Sequence, residues 1–214
     1  MPPVRRASGS PTEPTSDDPE ARARLICLRL LTAEPRTRAE LAQALRRGGV
    51  SAEAAETVVG RFTDVGLIDD AAFARAWVES RHYSRGLSRR TLSVELRRHG
   101  VDTDEIREAV GSLDPEQEVA TARRLVEQKM ASTRGQPQET RVRRAAGLLA
   151  RKGYPPGLAY RLIKETLESE GPGATAGLDL DTEPYSDPDD PDAEDLAQGP
   201  GLSGEFARQA DYSL

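Results

Sequence analysis

The sequence is poor in the residues from which catalytic and metal sites are usually built. Of its 214 residues, one is cysteine and two are histidine. The single Cys27 excludes an intramolecular disulfide and a cysteine-rich zinc site, and His82 and His99 are too few for most metal or triad arrangements. A phosphate-binding loop and a GxGxxG motif are also lacking. We therefore expect no enzyme activity, no catalytic or metal-binding residues and no cofactor.

Long apolar runs are lacking as well. No segment approaches the roughly 18 uninterrupted apolar residues of a membrane-spanning helix, and the first residues have no apolar run typical of a signal peptide. We expect a cytoplasmic monomer without membrane contacts, in which Cys27 is a small buried residue rather than a reactive thiol.

Charge separates the ends of the chain from its middle. Residues 20–171 carry 27 Lys and Arg against 22 Asp and Glu, whereas residues 172–214 carry 11 acids against Arg208 alone. Residues 1–17 and 172–214 offer little to bury, so we expect a disordered N-terminal segment and an acidic disordered tail. The tail could simply solubilise the protein, or fold back on the basic face in competition with a polyanion.

Apolar residues between these ends recur at intervals of three and four, which indicates helices and no strands. Asp18 followed by Pro19 predicts the start of a first helix, whose inward face should carry Leu25, Leu28 and Leu31. Thr37 and Glu40 form a capping box for a second helix, and a third should follow from Ser51.

The helical pattern then repeats. Leu92, Leu96 and Gly100 follow Leu41, Leu45 and Gly49 by 51 residues, and Leu149 and Gly153 follow Leu96 and Gly100 by 53. A third copy starts at Asp114, only 45 residues after Asp69, so its eight extra residues are expected in the loop at 132–137. We predict an all-α fold of nine helices in three tandem repeats, at 18–67, 68–113 and 114–171, forming an elongated, curved body.

The centre of the chain resembles the RecX family. The residues that carry the resemblance are Gly66, Leu67, Ile68, Asp69, Asp70, Phe73, Ala74, Trp77, Arg81, Gly86, Leu92, Leu96 and Gly100. The first repeat and the run Leu149–Tyr154 are similar to the family's flanking repeats. We expect Asp69 and Asp70 to cap a helix rather than to bind a metal, and Leu67, Ile68, Phe73 and Trp77 to share a core.

The resemblance implies a regulator, mainly an inhibitor, of the RecA recombinase in DNA repair and recombination. Such a protein binds the RecA–DNA filament and restrains its ATPase, strand-exchange and coprotease activities. We expect the contacts in two basic clusters, for which an ordinary solvated surface is the alternative: Arg81, Tyr83, Arg85, Arg89, Arg90, Arg97 and Arg98, then Arg141, Arg143, Arg144, Arg151 and Lys152. Arg89 and Arg90 stand at a helix start, where cations are unfavourable unless an acidic group, from RecA or DNA, is bound.

Two DNA-binding alternatives remain open. The stretch from Thr37 to Phe62 superficially reads as a helix-turn-helix, but its second helix carries Glu53 and Glu56 and only Arg61 as a base, which suits a major groove poorly. A non-specific nucleic-acid binder is suggested by the net charge of +5 over residues 20–171. Its affinity would fall steeply with salt and need no protein partner.

Overall fold

A computed structural model describes residues 18–171, and this part of the chain contains nine helices and no strand. The helices are α1 (Pro19–Ala33), α2 (Arg38–Arg47), α3 (Ala52–Asp64), α4 (Asp70–Arg85), α5 (Arg89–Arg98), α6 (Thr103–Gly111), α7 (Pro115–Ser132), α8 (Gln138–Arg151) and α9 (Pro156–Glu170). The predicted all-α fold of three three-helix repeats is confirmed. The segments expected to be disordered, 1–17 and 172–214, lie outside the described residues.

Local capping sets where the helices start. The Asp18 side chain accepts a hydrogen bond from the Glu20 amide at 2.9 Å, with Pro19 at the first helical position, and Asp114 does the same for α7. Thr37 and Glu40 form the predicted capping box at 3.2 Å in both directions. Because such bonds connect residues two or three apart, they can be read from the sequence. None of the described helices is long and apolar enough to span a membrane.

The chain divides into two compact units, one ending at Asp69 and the other beginning at Asp70. The first unit packs α1, α2 and α3 around a core that includes Leu41, Leu45 and Phe62. The second unit contains α4–α9 and two cores. One core is built on Phe73, Trp77, Leu92 and Leu96, and the other on Val126, Met130, Leu149 and Leu162.

The predicted inward face of α1 is wrong at Leu25 and Leu28, whereas Leu31 packs against the core of the first unit. Leu25 is 70% exposed and Leu28 47% exposed, Leu31 is only partly buried, and Ala23 and Cys27 are fully buried instead. The stripe through Ala23 and Cys27 also repeats every three or four residues, and its small side chains let α1 lie close to its neighbours. Ile26 on the same side reaches to 3.1 Å of where a Cβ on Gly48 would stand. The expected burial of Cys27 is confirmed.

The turn before α4 also differs from expectation. Leu67 is 52% exposed, and Ile68 is buried in the first unit's core rather than beside Phe73 and Trp77. The amides of Leu67 and Ile68 both donate to the Phe62 carbonyl, at 2.8 and 3.2 Å, after Gly66 takes a φ of 73°. This tight turn directs the Ile68 side chain back onto α3. The prediction that both residues join the Phe73 core is therefore wrong.

The extra residues of the third repeat lie mainly in helices. Helix α7 has 18 residues against 16 in α4, and α8 has 14 against 10 in α5. The α7–α8 connection at 133–137 is only two residues longer than its counterpart at 86–88. The prediction that the loop takes all eight residues is therefore wrong, since six of them lengthen the helices.

Candidate functional site

Helix α5 begins where α8 ends. Lys152, the residue that follows α8, presents its carbonyl to the amide of Ser88 at 3.0 Å and to the hydroxyl of Thr91 at 3.1 Å. Ser88 is itself the N-cap of α5 and accepts from the Thr91 amide at 3.3 Å. The negative end of α8 thus meets the positive end of α5, which is electrostatically favourable. We call this meeting of the second and third repeats the joint.

Two further bonds across the joint end on backbone carbonyls of the α4–α5 turn. The Lys152 ammonium donates to the Arg85 carbonyl at 2.8 Å, and the Tyr154 hydroxyl donates to the Gly86 carbonyl at 3.0 Å. Burial raises the pKa of Tyr154, and the nearby charge of Glu118 adds to the effect. The phenol therefore stays protonated at neutral pH and acts as a donor.

Gly153 makes the close approach of the two helices possible. Its φ is 85°, and a Cβ added there would stand 2.0 Å from the Thr91 hydroxyl oxygen and 2.6 Å from that of Ser88. Any side chain would therefore both strain the backbone and push α5 away. The repeated glycine that the sequence analysis matched to Gly100 and Gly49 thus has a packing role at this position.

A carboxylate inside the second unit lies at the start of α5. The Arg89 amide donates to Glu118 Oε1 at 2.9 Å, and the Arg89 Nε lies 3.4 Å from Glu118 Oε2. From the sequence, we expect the acidic group at this helix start to come from RecA or DNA. For Arg89 that expectation is wrong, because Glu118 of α7 supplies the carboxylate.

His82 connects the same two repeats through its ring. Its Nδ1 lies 2.9 Å from the Leu87 carbonyl and its Nε2 lies 3.1 Å from the Thr121 hydroxyl. A carbonyl can only accept, so Nδ1 carries the proton and Nε2 accepts from Thr121 in the neutral ring. In the described part of the chain no group of three or more His, Cys, Asp or Glu is placed to hold a metal ion. We assign His82 a structural role.

Two arginines expected on the contact surface are packed into the unit. Arg81 is 4% exposed, and its guanidinium lies 4.5 Å from the centre of the Trp77 ring, a cation–π contact. The Arg141 side chain is 11% exposed and donates to the Met130 carbonyl at 3.2 Å and to Glu170 at 2.7 Å. That hydrogen bond lowers the pKa of Glu170. Arg81 is therefore buried against its own helix, and Arg141 connects α8 to α7 and α9, rather than facing a partner.

The other predicted contact residues fall into two groups. The joint brings together half-buried residues from the ends of α4 and α8 and the start of α5: Arg85, Arg89, Arg151 and Lys152. The exposed residues are Tyr83, Arg90, Arg97, Arg98 and Arg143, and Arg144 is half-buried. Arg97 and Arg98 end α5, at the opposite end of that helix from the joint.

Comparison with known proteins identifies the family. Models described as the first, second and third three-helix domains of RecX match residues 23–62, 69–110 and 116–163. This chain belongs to the RecX family. It is 57% identical to the regulatory protein RecX of Thermobifida fusca, over 79% of this chain and 94% of that one. It is also 57% identical to the regulatory protein RecX of Streptomyces coelicolor, over 72% and 82% of the two chains.

The RecX fold is also found among solved structures. The crystal structure of RecX from Lactobacillus salivarius matches with a TM-score of 0.63 at 18% identity, over 70% of this chain and 97% of that one. A second crystal structure of regulatory protein RecX matches with a TM-score of 0.61 at 24% identity, over 69% and 72% of the chains. At these identities the likeness shows the fold alone.

The RecX signature residues mainly build the repeat. Phe73, Trp77, Leu92 and Leu96 are buried together, and the rings of Phe73 and Trp77 lie 5.6 Å apart. The predicted core role of Phe73 and Trp77 is confirmed. His99, at the end of α5, adds its ring 4.2 Å from that of Trp77. Helix α4 begins at Asp70, with Gly66, Leu67, Ile68 and Asp69 before it, and Gly100 follows α5 with a φ of 77°.

Sequence reasoning missed the joint. Thr91, Glu118 and Tyr154 were not selected as important, and their bonds connect residues 29 to 68 positions apart. Local patterns carry no information on such pairs. The repeat also matches Arg46 and Arg47 to Arg97 and Arg98, 51 residues later.

Proposed function

We propose that this RecX family protein regulates RecA, mainly as an inhibitor, by binding the RecA–DNA filament. In this role it restrains the ATPase, strand-exchange and coprotease activities of RecA in DNA repair and recombination. The supporting observation is that all three RecX domains are matched in order, by a chain 57% identical to two proteins named regulatory protein RecX. RecA as partner comes from the family resemblance of the sequence. The proposal places the chain in the cytoplasm, as a monomer.

The exposed basic residues of the second unit are the proposed contact surface for the filament. Arg90 of α5 and Arg143 of α8 occupy equivalent positions, 53 residues apart, and both are exposed. The proposed surface also includes exposed Tyr83, Arg97 and Arg98. Its half-buried members are the joint residues Arg85, Arg89, Arg151 and Lys152, together with Arg144. Arginine and tyrosine are enriched at protein interfaces, which supports this assignment.

Hydrolysis of ATP by RecA on single-stranded DNA tests the function. We expect inhibition when the full chain is titrated well below one copy per RecA, because a regulator bound at a few positions affects a long polymer. Unchanged hydrolysis up to one copy per RecA would contradict the proposal.

The contact surface is tested by charge reversal away from the joint. Arg90→Glu with Arg143→Glu should raise the concentration needed for half-inhibition by about tenfold, since cations at an interface steer and hold an acidic partner. Arg89 is left intact because Glu118 pairs with it. Arg75→Glu with Arg124→Glu is the matched control, with two exposed arginines in α4 and α7 that are outside the proposed surface. Equal effects of the two variants would mean that only net charge matters.

A further inference from the structure

Charge is segregated between the helices of each repeat. The second helices, α2, α5 and α8, carry three, four and four arginines against one glutamate each. The third helices are acidic: α3 and α6 carry three acids against one arginine each, and α9 carries three acids against two cations. A polyanion would therefore be attracted to the second helices and repelled by the third.

Two arginine pairs stand out on the second helices. Arg46 and Arg47 end α2, and Arg97 and Arg98 end α5 at positions 51 residues later. All four side chains are exposed. Within the described residues, no ion pair or side-chain hydrogen bond involves them. By contrast, exposed Arg61 and Arg107 on the third helices are paired, with Glu20 and Asp104.

Favourable helix dipoles do not explain the pairs. A cation near a helix C-terminus is stabilising by about 0.3–1 kcal/mol, yet the last turns of α1, α6 and α9 have no basic residue and that of α3 has one. One cation would satisfy the dipole, and a second one beside it adds repulsion. The doubled charge is therefore available to an external anion.

The residues next to Arg46 and Arg47 favour a polyanion, rather than a protein surface, as the binding partner of this pair. None of the exposed large hydrophobic side chains of the described residues lies on α2. The exposed residues nearest to Arg46 and Arg47 in the sequence are Gln43 and Gly49. Protein interfaces usually have an apolar centre, whereas contacts to a phosphodiester backbone need only charge and hydrogen-bond donors, which the guanidinium fork supplies.

We propose that the pairs Arg46–Arg47 and Arg97–Arg98 each contact the phosphodiester backbone of DNA directly. Each pair binds its own phosphates, so the contact does not depend on how the two units are arranged. This DNA binding requires no RecA and so goes beyond the function proposed above. A backbone with one charge per nucleotide suits a repeat protein that presents the same cationic pair in successive repeats.

The test is the salt dependence of DNA binding by the full chain without RecA. Anisotropy of a fluorescein-labelled oligo(dT) gives the binding constant at several NaCl concentrations. Arg46→Gln with Arg47→Gln should lower the slope of log K against log salt by about 1.4, because each lost single-strand phosphate contact contributes about 0.7. Arg97→Gln with Arg98→Gln should do the same. Arg61→Gln with Arg107→Gln is the control, and its slope should not fall.

The outcomes separate this inference from RecA regulation. A parental chain that fails to bind the oligonucleotide, or pair variants with the parental slope, would overturn direct phosphate contact, whatever the ATPase assay shows. Pair variants that keep the slope but lose RecA inhibition would assign the pairs to an acidic protein surface instead. Helical circular dichroism and the emission of Trp77, the only tryptophan, check that the variants fold.

Discussion

The starts of α2 and α5 occupy equivalent positions in successive repeats, but the backbone amide of the N-cap residue donates to a different acceptor in each. The amide of Thr37, the N-cap of α2, is bonded to Glu40 three residues away at 3.2 Å. The amide of Ser88, the N-cap of α5, is bonded to the Lys152 carbonyl at 3.0 Å, in the next repeat. Glu40 and Thr91 occupy the same helical position, 51 residues apart. One side chain therefore decides whether a cap closes locally or reaches a neighbour.

The difference shows how similar repeats come to differ in their contacts, since one helix start is bonded within its own repeat and the other to the next repeat. A glutamate at this position folds back on its own N-cap, whereas the shorter Thr91 leaves the Ser88 amide to Lys152 and adds its own hydroxyl bond to the same carbonyl. These bonds lie inside the compact unit formed by α4–α9. The apolar positions of the repeats agree, so the distinction lies in a few polar residues at helix ends.

The largest effect is expected for Gly153→Ala. The new Cβ would overlap the Thr91 and Ser88 hydroxyls and take a φ of 85°, so strain and overpacking together should lower the free energy of unfolding by about 3 kcal/mol. Urea denaturation followed by Trp77 emission measures the second unit.

Gly49→Ala is the matched control in the first repeat. Gly49 has a φ of 72° but no atom within 4 Å of an added Cβ, so only backbone strain of about 1 kcal/mol is expected. Cys27, the single cysteine, is fully buried, and burial raises the pKa of its thiol. Its rate of labelling by a disulfide reagent therefore reports opening of the first unit. Equal losses at the two glycines would show that close packing at the joint contributes nothing.

Tyr154→Phe should have the next largest effect. It removes the buried hydroxyl that donates to the Gly86 carbonyl, at a cost of about 1–2 kcal/mol. Tyr160, which is 45% exposed, provides the control Tyr160→Phe with no expected change.

Alkaline pH provides a second readout for Tyr154. Its pKa is raised in the folded protein, so the folded state holds the proton more tightly than the unfolded chain, where the pKa is about 10. The associated stability is complete below pH about 10 and falls as the pH rises above that value. Tyr154→Phe should reduce this fall. An unchanged alkaline profile would show that the Tyr154 phenol is not responsible for it.

The sequence predicts what is local and misses what is distant. Caps at Asp18, Thr37 and Asp114 are set by residues two or three positions away, and all three are confirmed. The prediction of the buried face of α1 is wrong at Leu25 and Leu28, because Ala23 and Cys27 are small and contribute little to an apolar sequence pattern. Their small size nevertheless lets neighbouring helices approach closely. The joint could not be predicted, since its acceptors are backbone carbonyls, which are chemically alike at every residue.

Thr91→Val and Glu40→Ala compare the hydrogen bonds at the two helix starts, one reaching the next repeat and one local. It removes the hydroxyl bond to Lys152 while keeping the shape, and should cost about 1 kcal/mol. Its effect should be non-additive with that of Tyr154→Phe by at least about 0.5 kcal/mol, because both bonds hold the same joint. Glu40→Ala opens the capping box in the first repeat and should cost a similar amount, seen as about fivefold faster Cys27 labelling. Strict additivity of Thr91→Val and Tyr154→Phe would argue against a cooperative joint.

The smallest effects are expected at two surface carboxylates with the same arrangement, one in each unit. Glu20 lies 2.7 Å from Arg61 of α3 and 3.7 Å from Arg24, four residues later. Glu165 lies 2.7 Å from Arg123 of α7 and 3.9 Å from Arg161, four residues earlier. Replacement of either by Gln should cost no more than about 1 kcal/mol, because exposed pairs contribute little. Glu20→Gln should cost more, since Glu20 is in the first turn of α1 and precedes its helical arginine, the favourable order.

Repeating the Cys27 and Trp77 measurements in 1 M NaCl should remove most of both losses, because salt screens exposed charges. A loss that persisted in salt would show that packing, rather than charge, holds these side chains.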